Sequence, residues 1–301
     1  QGSDLNTCLI VIKKISFMVS SIDDEYEDLM RSGKKLYQLR KYSDSIKFFK
    51  KARKIDKKRI NSFLWLAKSL FRLRKFDESL YYNDILLSIS PNHVAGWLQR
   101  IDLFSAMYNY SEVLICCEKG FNIAKSDYSL CSIYIQKSIA LRQLNKLEDA
   151  KKIAQEALKK FPKSWKLLAN TALIFEKLEE FDSAVSVLTS AIQIKPKDWR
   201  LWYNRGVNLF YLKKTQAKMD FKKATILNPK NERCWLMLGR TSMNNLNYAL
   251  ECFDNAIVAN SKYVRAYENK GKVLELLGRL EESRQCYALA MNISGRNDDF
   301  V

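Results

Sequence analysis

A ladder of small and large apolar residues returns every 34 residues along much of this 301-residue chain, and a recurrence of that length restricts the fold more than any other feature. From Trp165 the ladder reads Leu168, Ala172, Phe175, Phe181, Ala184, Leu188, Ala191 and Pro196. From Cys131, 34 residues earlier, it reads Tyr134, Ser138, Leu141, Leu147, Ala150, Ala154, Ala157 and Pro162. It recurs from Ile60 (Phe63, Ala67, Leu70, Phe76, Ser79, Asn83, Leu86, Pro91), from Tyr26 (Leu29, Gly33, Leu36, Tyr42, Ser45, Phe49, Ala52) and from Val264 (Tyr267, Gly271, Leu274, Leu280, Ser283, Tyr287, Ala290).

Each rung has a physical role in a pair of helices. A small eighth residue (Gly33, Ala67, Ser138, Ala172, Gly206, Gly239, Gly271) lets the first helix of a copy, helix A, approach the second, helix B. A small twentieth residue does the same from helix B. Large apolar residues at positions 4, 11 and 24 fill the space between. A proline near position 32 starts a turn that helix B cannot pass.

Three copies depart from the pattern. The copy from Trp199 keeps Trp202, Gly206, Ala217, Phe221, Ala224 and Pro229 but is one residue short. The next keeps Trp235, Gly239, Ala249, Phe253, Ala256 and Ser261 and is two short. Both deletions are expected in the turn from helix A to helix B, around Lys213-Lys214 and Asn244-Asn245. The copy from Val94 fits at Trp97 but loosely at Ile101, Val113, Cys117 and Gly120, and about three extra residues follow it. It is expected to be folded but irregular, with a bend there.

The pattern resembles the tetratricopeptide repeat family over about residues 26–294. That resemblance implies an all-α fold: a right-handed superhelical solenoid of antiparallel helix pairs, about eight repeats long. The expected organisation is a tag remnant and N-terminal helix (1–25), two repeats (26–93), an irregular third (94–130), repeats four to eight (131–294) and a tail (295–301). The apolar stretch Leu5–Ile22, broken by Lys13-Lys14, is too short to span a membrane and is expected to pack on the first repeat; a dimerisation or partner helix is the alternative. No polar capping helix follows the last copy, so the array is expected to continue or to dock through its end, a second copy being one candidate.

Four prolines and 9 glycines are too few to punctuate an all-β chain. Seven cysteines form no CxxC pair and their odd number argues against a disulfide framework. With a single histidine, His93, no metal centre and no catalytic couple is expected, and neither is a cofactor. Scattered thiols fit a reducing compartment, so a cytoplasmic location is expected, with the nucleus as alternative. The reading is therefore non-catalytic.

A net charge of +18, from 51 Lys+Arg against 33 Asp+Glu, asks for an acidic partner. The resemblance implies that helix A lines the concave groove through positions 2, 5, 6, 9, 12 and 13. Position 2 holds Lys166, Arg200, Arg233 and Arg265 in the last four copies; position 6 holds Asn170, Asn204, Met237 and Asn269. Position 9 adds Arg240 and Lys272. Positions 2 and 6 are four apart and share one helix face. Arginine and lysine pair with carboxylates, and asparagine can donate to and accept from a peptide backbone. The expected role is a scaffold, adaptor or assembly subunit that binds an extended acidic peptide.

The rows look like the carboxylate clamp and asparagine ladder of peptide-binding family members. They depart from the chaperone-tail clamp, with Ile135 and Ile139, or Met30 and Lys34, where that clamp needs lysine and asparagine. The second reading is an RNA-associated repeat protein. Between Tyr26 and Arg59 there are 13 Lys+Arg and 4 Asp+Glu, a surplus of nine, and Lys47, Lys50, Lys51 and Lys54 form one stripe of a helix whose other side carries Phe48, Phe49 and Ala52.

Overall fold

A computed structural model describes residues 22–295 of the chain; the Leu5–Ile22 stretch, save its last residue, and the tail after Gly295 lie outside it. The described residues are all-α, with sixteen helices and no strand. They are α1 (22–38), α2 (Tyr42–Ile55), α3 (Ile60–Arg72), α4 (Phe76–Ile89), α5 (Val94–Ala106), α6 (Tyr110–Ile123), α7 (Asp127–Gln143) and α8 (Leu147–Lys160), then α9 (Trp165–Lys177), α10 (Phe181–Ile194), α11 (Trp199–Tyr211), α12 (Gln216–Leu227), α13 (Glu232–Arg240), α14 (Leu246–Ala259), α15 (Val264–Leu276) and α16 (Leu280–Ser294). Odd-numbered helices are the A helices of the ladder and even-numbered ones the B helices. The helices form two compact units that divide between Lys146 and Leu147. No described helix is long and apolar enough to cross a membrane.

Within each unit a helix packs on the next in sequence, so the core is built from neighbours. The ladder explains how. Gly33, Gly206, Gly239 and Gly271 each sit against a ring at position 24 of their own copy: a Cβ there would lie 2.4–2.9 Å from Phe49, Phe221, Phe253 or Tyr287. Where position 24 is the smaller Leu188, position 8 is Ala172, and both are buried in one cluster. The copy from Val94 inverts the pair: Ile101 is large, Cys117 is small, and both are fully buried. Its loose match to the ladder is thus a reversed but filled contact, and α5 and α6 have the ordinary lengths of 13 and 14 residues. The extra residues that follow are absorbed as a longer α7, 17 residues capped by Ser126.

The two deletions do not merely shorten turns. The copy from Trp199 starts helix B late, leaving α12 with 12 residues. The next copy ends helix A early, leaving α13 with 9 residues against 13 in α9, α11 and α15. The tryptophans of position 4 also differ from the expected core role. Trp97, Trp202 and Trp235 are half-buried, and each indole N–H donates to the carbonyl of the proline six residues earlier, at 2.7–2.8 Å. They tie each helix A to the turn before it.

His93 shows how one polar residue serves this scaffold. It is the N-cap of α5, and its Nδ1 accepts from the backbone N–H of Gly96 at 3.0 Å, which requires that nitrogen to be unprotonated. Burial lowers the imidazole pKa, and the charge of Lys68 lowers it further. The unfolded chain therefore takes up the proton first as pH falls, so the stability this residue contributes is present above about pH 6.5 and is lost on acidification below it. The drop in melting temperature between about pH 7 and about pH 5 should be larger in the parent than in His93→Asn, which keeps a cap without a titrating group. Equal drops would remove His93 from this role.

The buried thiols are inert packing groups. Burial pushes Cys117 and Cys234 up to about 12 and Cys116 and Cys252 up to about 11, so all four are thiols at neutral pH.

Candidate functional site

The A helices of the second unit, α9, α11, α13 and α15, carry the residues expected to meet a partner. Three of them, α9, α11 and α13, begin at a side-chain cap, and α15 does not. Asn231 caps α13 by accepting from the N–H groups of Arg233 and Cys234, both at 3.1 Å. Asp198 caps α11, accepting from the Arg200 N–H at 3.2 Å.

At position 2, Lys166, Arg233 and Arg265 are exposed. Among the described residues none of these three, nor Arg240 or Lys272, is in an ion pair with a carboxylate. Lys166 lies over the Trp165 ring at 5.8 Å. Arg200 differs from them. Its Nε and Nη2 donate to both oxygens of Asp198, at 2.9 and 2.7 Å, and the forked bond raises its pKa and lowers that of Asp198. Arg200 is thereby held on its own helix cap and leaves a gap in the expected row, although its side chain is still 61% exposed.

The asparagine row is also altered. Asn170 is only 6% exposed and sits in the interior. Asn204 is half-buried, and its backbone carbonyl accepts from Asn208, which also donates to Glu176. Asn269 donates its amide to the Arg265 carbonyl of its own helix at 2.7 Å, which leaves its side-chain oxygen as the outward acceptor. Met237, at the same position of α13, is buried. At position 9, Lys272 is exposed, whereas Arg240 turns across the Phe210 ring at 5.1 Å with its Nη1 3.7 Å from the Met237 sulfur. Apart from Arg240, the exposed helix A cations at these positions with no ion pair are thus Lys166, Arg233, Arg265 and Lys272.

The first unit carries a companion feature that position 9 already encoded. Lys34 and Lys68, 34 residues apart, place Nζ 5.8 and 5.0 Å from the Trp65 ring, which stacks on Phe49 and meets Tyr37 edge-on. Burial lowers the pKa of Lys68, while nearby Asp102, position 9 of the next copy, is raised by burial. Applying the position-9 rule to the early copies would have found all three.

The Lys47, Lys50, Lys51 and Lys54 stripe is exposed on α2 as expected. Its flanks are not. Lys47 pairs with Asp44 at 2.9 Å, and Phe48 is half-buried beneath Lys51 and does not join Phe49 and Ala52 in the core. Arg59 is drawn away by Asp23, Glu27 and Asp56 and lies over Tyr26 at 4.5 Å.

Models of the tetratricopeptide repeat match residues 135–198 and 264–297, on the ladder described above. The chain carries tetratricopeptide repeats. Its fold is similar to that of solved MamA structures: one is 19% identical with a TM-score of 0.51 over 57% of this chain and 97% of that one, and MamA 41-end from Desulfovibrio magneticus RS-1 is 15% identical with a TM-score of 0.52 over 56% and 97%. The APC/C hetero-tetramer Cut9-Hcn1 is similar over 83% of this repeat protein, at 13% identity and a TM-score of 0.64, and this chain spans about half (48%) of that one. No curated protein matches the sequence. Among the described residues of the tetratricopeptide repeat protein, no three His, Cys, Asp or Glu side chains converge as a metal site would require.

Proposed function

We propose that this tetratricopeptide repeat protein is an interaction scaffold that holds an extended acidic segment of a partner protein against the A helices of its second unit. The observation that supports the reading is the set of exposed cations without ion-pair partners, Lys166, Arg233, Arg265 and Lys272, at repeating positions of α9, α13 and α15. Carboxylates of the segment pair with these four, and Asn204 and Asn269 meet its backbone. The fold supports such a role: Cut9-Hcn1, of similar fold, is a hetero-tetramer. Repeats that each contact only their neighbours present an extended surface and need no catalytic cleft.

A fluorescence titration with acidic peptides tests the reading. Arg233→Glu is expected to weaken binding by at least about tenfold, since a lost charged pair is worth on the order of 1–2 kcal/mol and a new like charge adds repulsion. Affinity should also fall as salt rises. Unchanged affinity in both Arg233→Glu and Asn204→Ala would sink the proposal.

A second reading, RNA association, rests on the Lys47, Lys50, Lys51 and Lys54 stripe, all four exposed on one side of α2. Retention of nucleic acid that falls steeply with salt and is lost in Lys50→Glu/Lys54→Glu would support it over the peptide reading.

A further inference from the structure

The two shortened helices leave a cleft between them. α11 ends at Tyr211, Lys213 turns the chain in the left-handed region at φ 55°, and α12 begins only at Gln216. In the next copy α13 stops at Arg240 and α14 begins at Leu246. The missing helical turns open a cavity of about 690 Å³. Its apolar wall is Phe210, Tyr211 and Met243, and its rim carries Lys213, Lys214, Lys218 and Arg240. No carboxylate lines it.

The wall is in part exposed. Tyr211 stacks on Phe181 at 4.9 Å and 13° yet is 58% exposed, and Phe210 is covered by the Arg240 guanidinium. Among the described residues none of the four rim cations is in an ion pair with a carboxylate. Asp220, in the same helix as Lys218, is held by Arg205 through bonds of 2.7 and 2.8 Å, and Lys218 itself lies over the Tyr248 ring at 5.5 Å. Asp182 lines the adjoining cleft, to which Lys214 also belongs. Four like charges around one opening repel one another until an anion enters.

We infer that this cleft is a second, separate binding site, for a short acidic peptide segment that inserts one apolar side chain between flanking carboxylates. The cavity is the size of a small-molecule pocket and has an aromatic and thioether wall, which suits a buried leucine or phenylalanine. Four cations line it beside the apolar wall, which suits a segment that offers several carboxylates and an apolar side chain better than a lone phosphate. A nucleic acid strand would need a track of cations leading out of the cleft and exposed rings for successive bases, and the rings here form a single wall. The site is distinct from the cation row proposed above in its lining: none of Lys166, Arg233, Arg265 and Lys272 lines the cavity.

The test uses the whole chain and a fluorescein-labelled peptide of alternating glutamate and leucine, with a glutamate–serine peptide as control and inorganic phosphate and a single-stranded oligonucleotide as competitors. The leucine peptide should bind at least about tenfold more tightly than the serine peptide. Lys213→Glu/Lys214→Glu, both exposed positions, should weaken it by about tenfold or more with the helical circular dichroism unchanged. Met243→Asp should erase the preference for leucine. Arg233→Glu should leave the leucine preference intact, which separates this site from the row on α9, α13 and α15. Equal binding of the two peptides, loss in Arg233→Glu without loss in the Lys213/Lys214 variant, or displacement by phosphate or oligonucleotide more readily than by unlabelled peptide would each overturn the proposal.

Discussion

Gly239→Ala is expected to destabilise the second unit by about 1–2 kcal/mol, against the sign that helix propensity predicts. Alanine is favoured over glycine in a helix by up to about 1 kcal/mol, so an unobstructed site would gain stability. Here the new Cβ would lie 2.5 Å from Phe253 Cε1, with two further ring carbons at 2.8 and 2.9 Å. Phe253 is fully buried, so its ring has nowhere to turn. Overpacking of this kind costs about 1–3 kcal/mol. Phe253→Leu alone should also destabilise, by about 1 kcal/mol, because it leaves a gap beside the glycine.

The two changes together should recover most of the loss, since they rebuild the Ala172 and Leu188 pair that the fifth copy already uses. Urea unfolding followed by circular dichroism reads the change. A Gly239→Ala chain as stable as the parent, or a double variant no better than the sum of its parts, would show that size matching across the helix pair does not limit this fold.

The second large effect is expected at Arg205 and Asp220. The arginine forks onto both carboxylate oxygens, donates to Thr189 Oγ1 at 3.1 Å and covers the Trp202 ring at 5.0 Å. Its side chain is 18% exposed and that of Asp220 only 4%. Arg205→Met should cost about 3 kcal/mol, because it leaves a buried carboxylate without its counter-charge. Asp220→Leu in the same chain should return stability to within about 1 kcal/mol of the parent, since removing both charges also removes their desolvation. If Arg205→Met alone is neutral, the pair is solvated in solution and does not join α11, α10 and α12 as the structure has it.

Much of this fold could be read from spacing. Helix pairs, their register and the small residue at position 8 follow from periodicity, because each repeat packs mainly on its neighbours and writes its contacts into a local pattern. Even the weak copy from Val94 was legible as a folded pair. What spacing could not show was that Ile101 and Cys117 exchange the large and small roles, since only the sum of the two volumes is constrained. Nor did it place the deletions: a missing residue in a turn looks the same in a sequence whether the turn tightens or a helix loses its end.

The candidate site was less legible than the fold. Arg200 and Arg233 occupy the same position and read alike, yet Arg200 is bound to Asp198 two residues before it, while Arg233 has Asn231 there, which caps through the backbone. Asn170 and Asn269 also read alike, and one is buried while the other is turned onto its own backbone. Lys34, Lys68 and Trp65 form their cluster across copies.

The sequence by itself determined an all-helical array with a basic character and one repeating interior. That is because burial depends on a period of 3.6 within helices and 34 between them, and both are visible in one dimension. Tertiary structure alone decided which polar side chains remain available to a partner. A cation is available only if no acid approaches it, and the acids that approach come from the cation's own turn, as Asp198 does to Arg200, and from other helices, as Asp220 does to Arg205 and Glu118 to Lys137. The cleft at Lys213 and Arg240 belongs to the same category: each shortened helix is an ordinary local choice, and the cavity exists only where two of them meet.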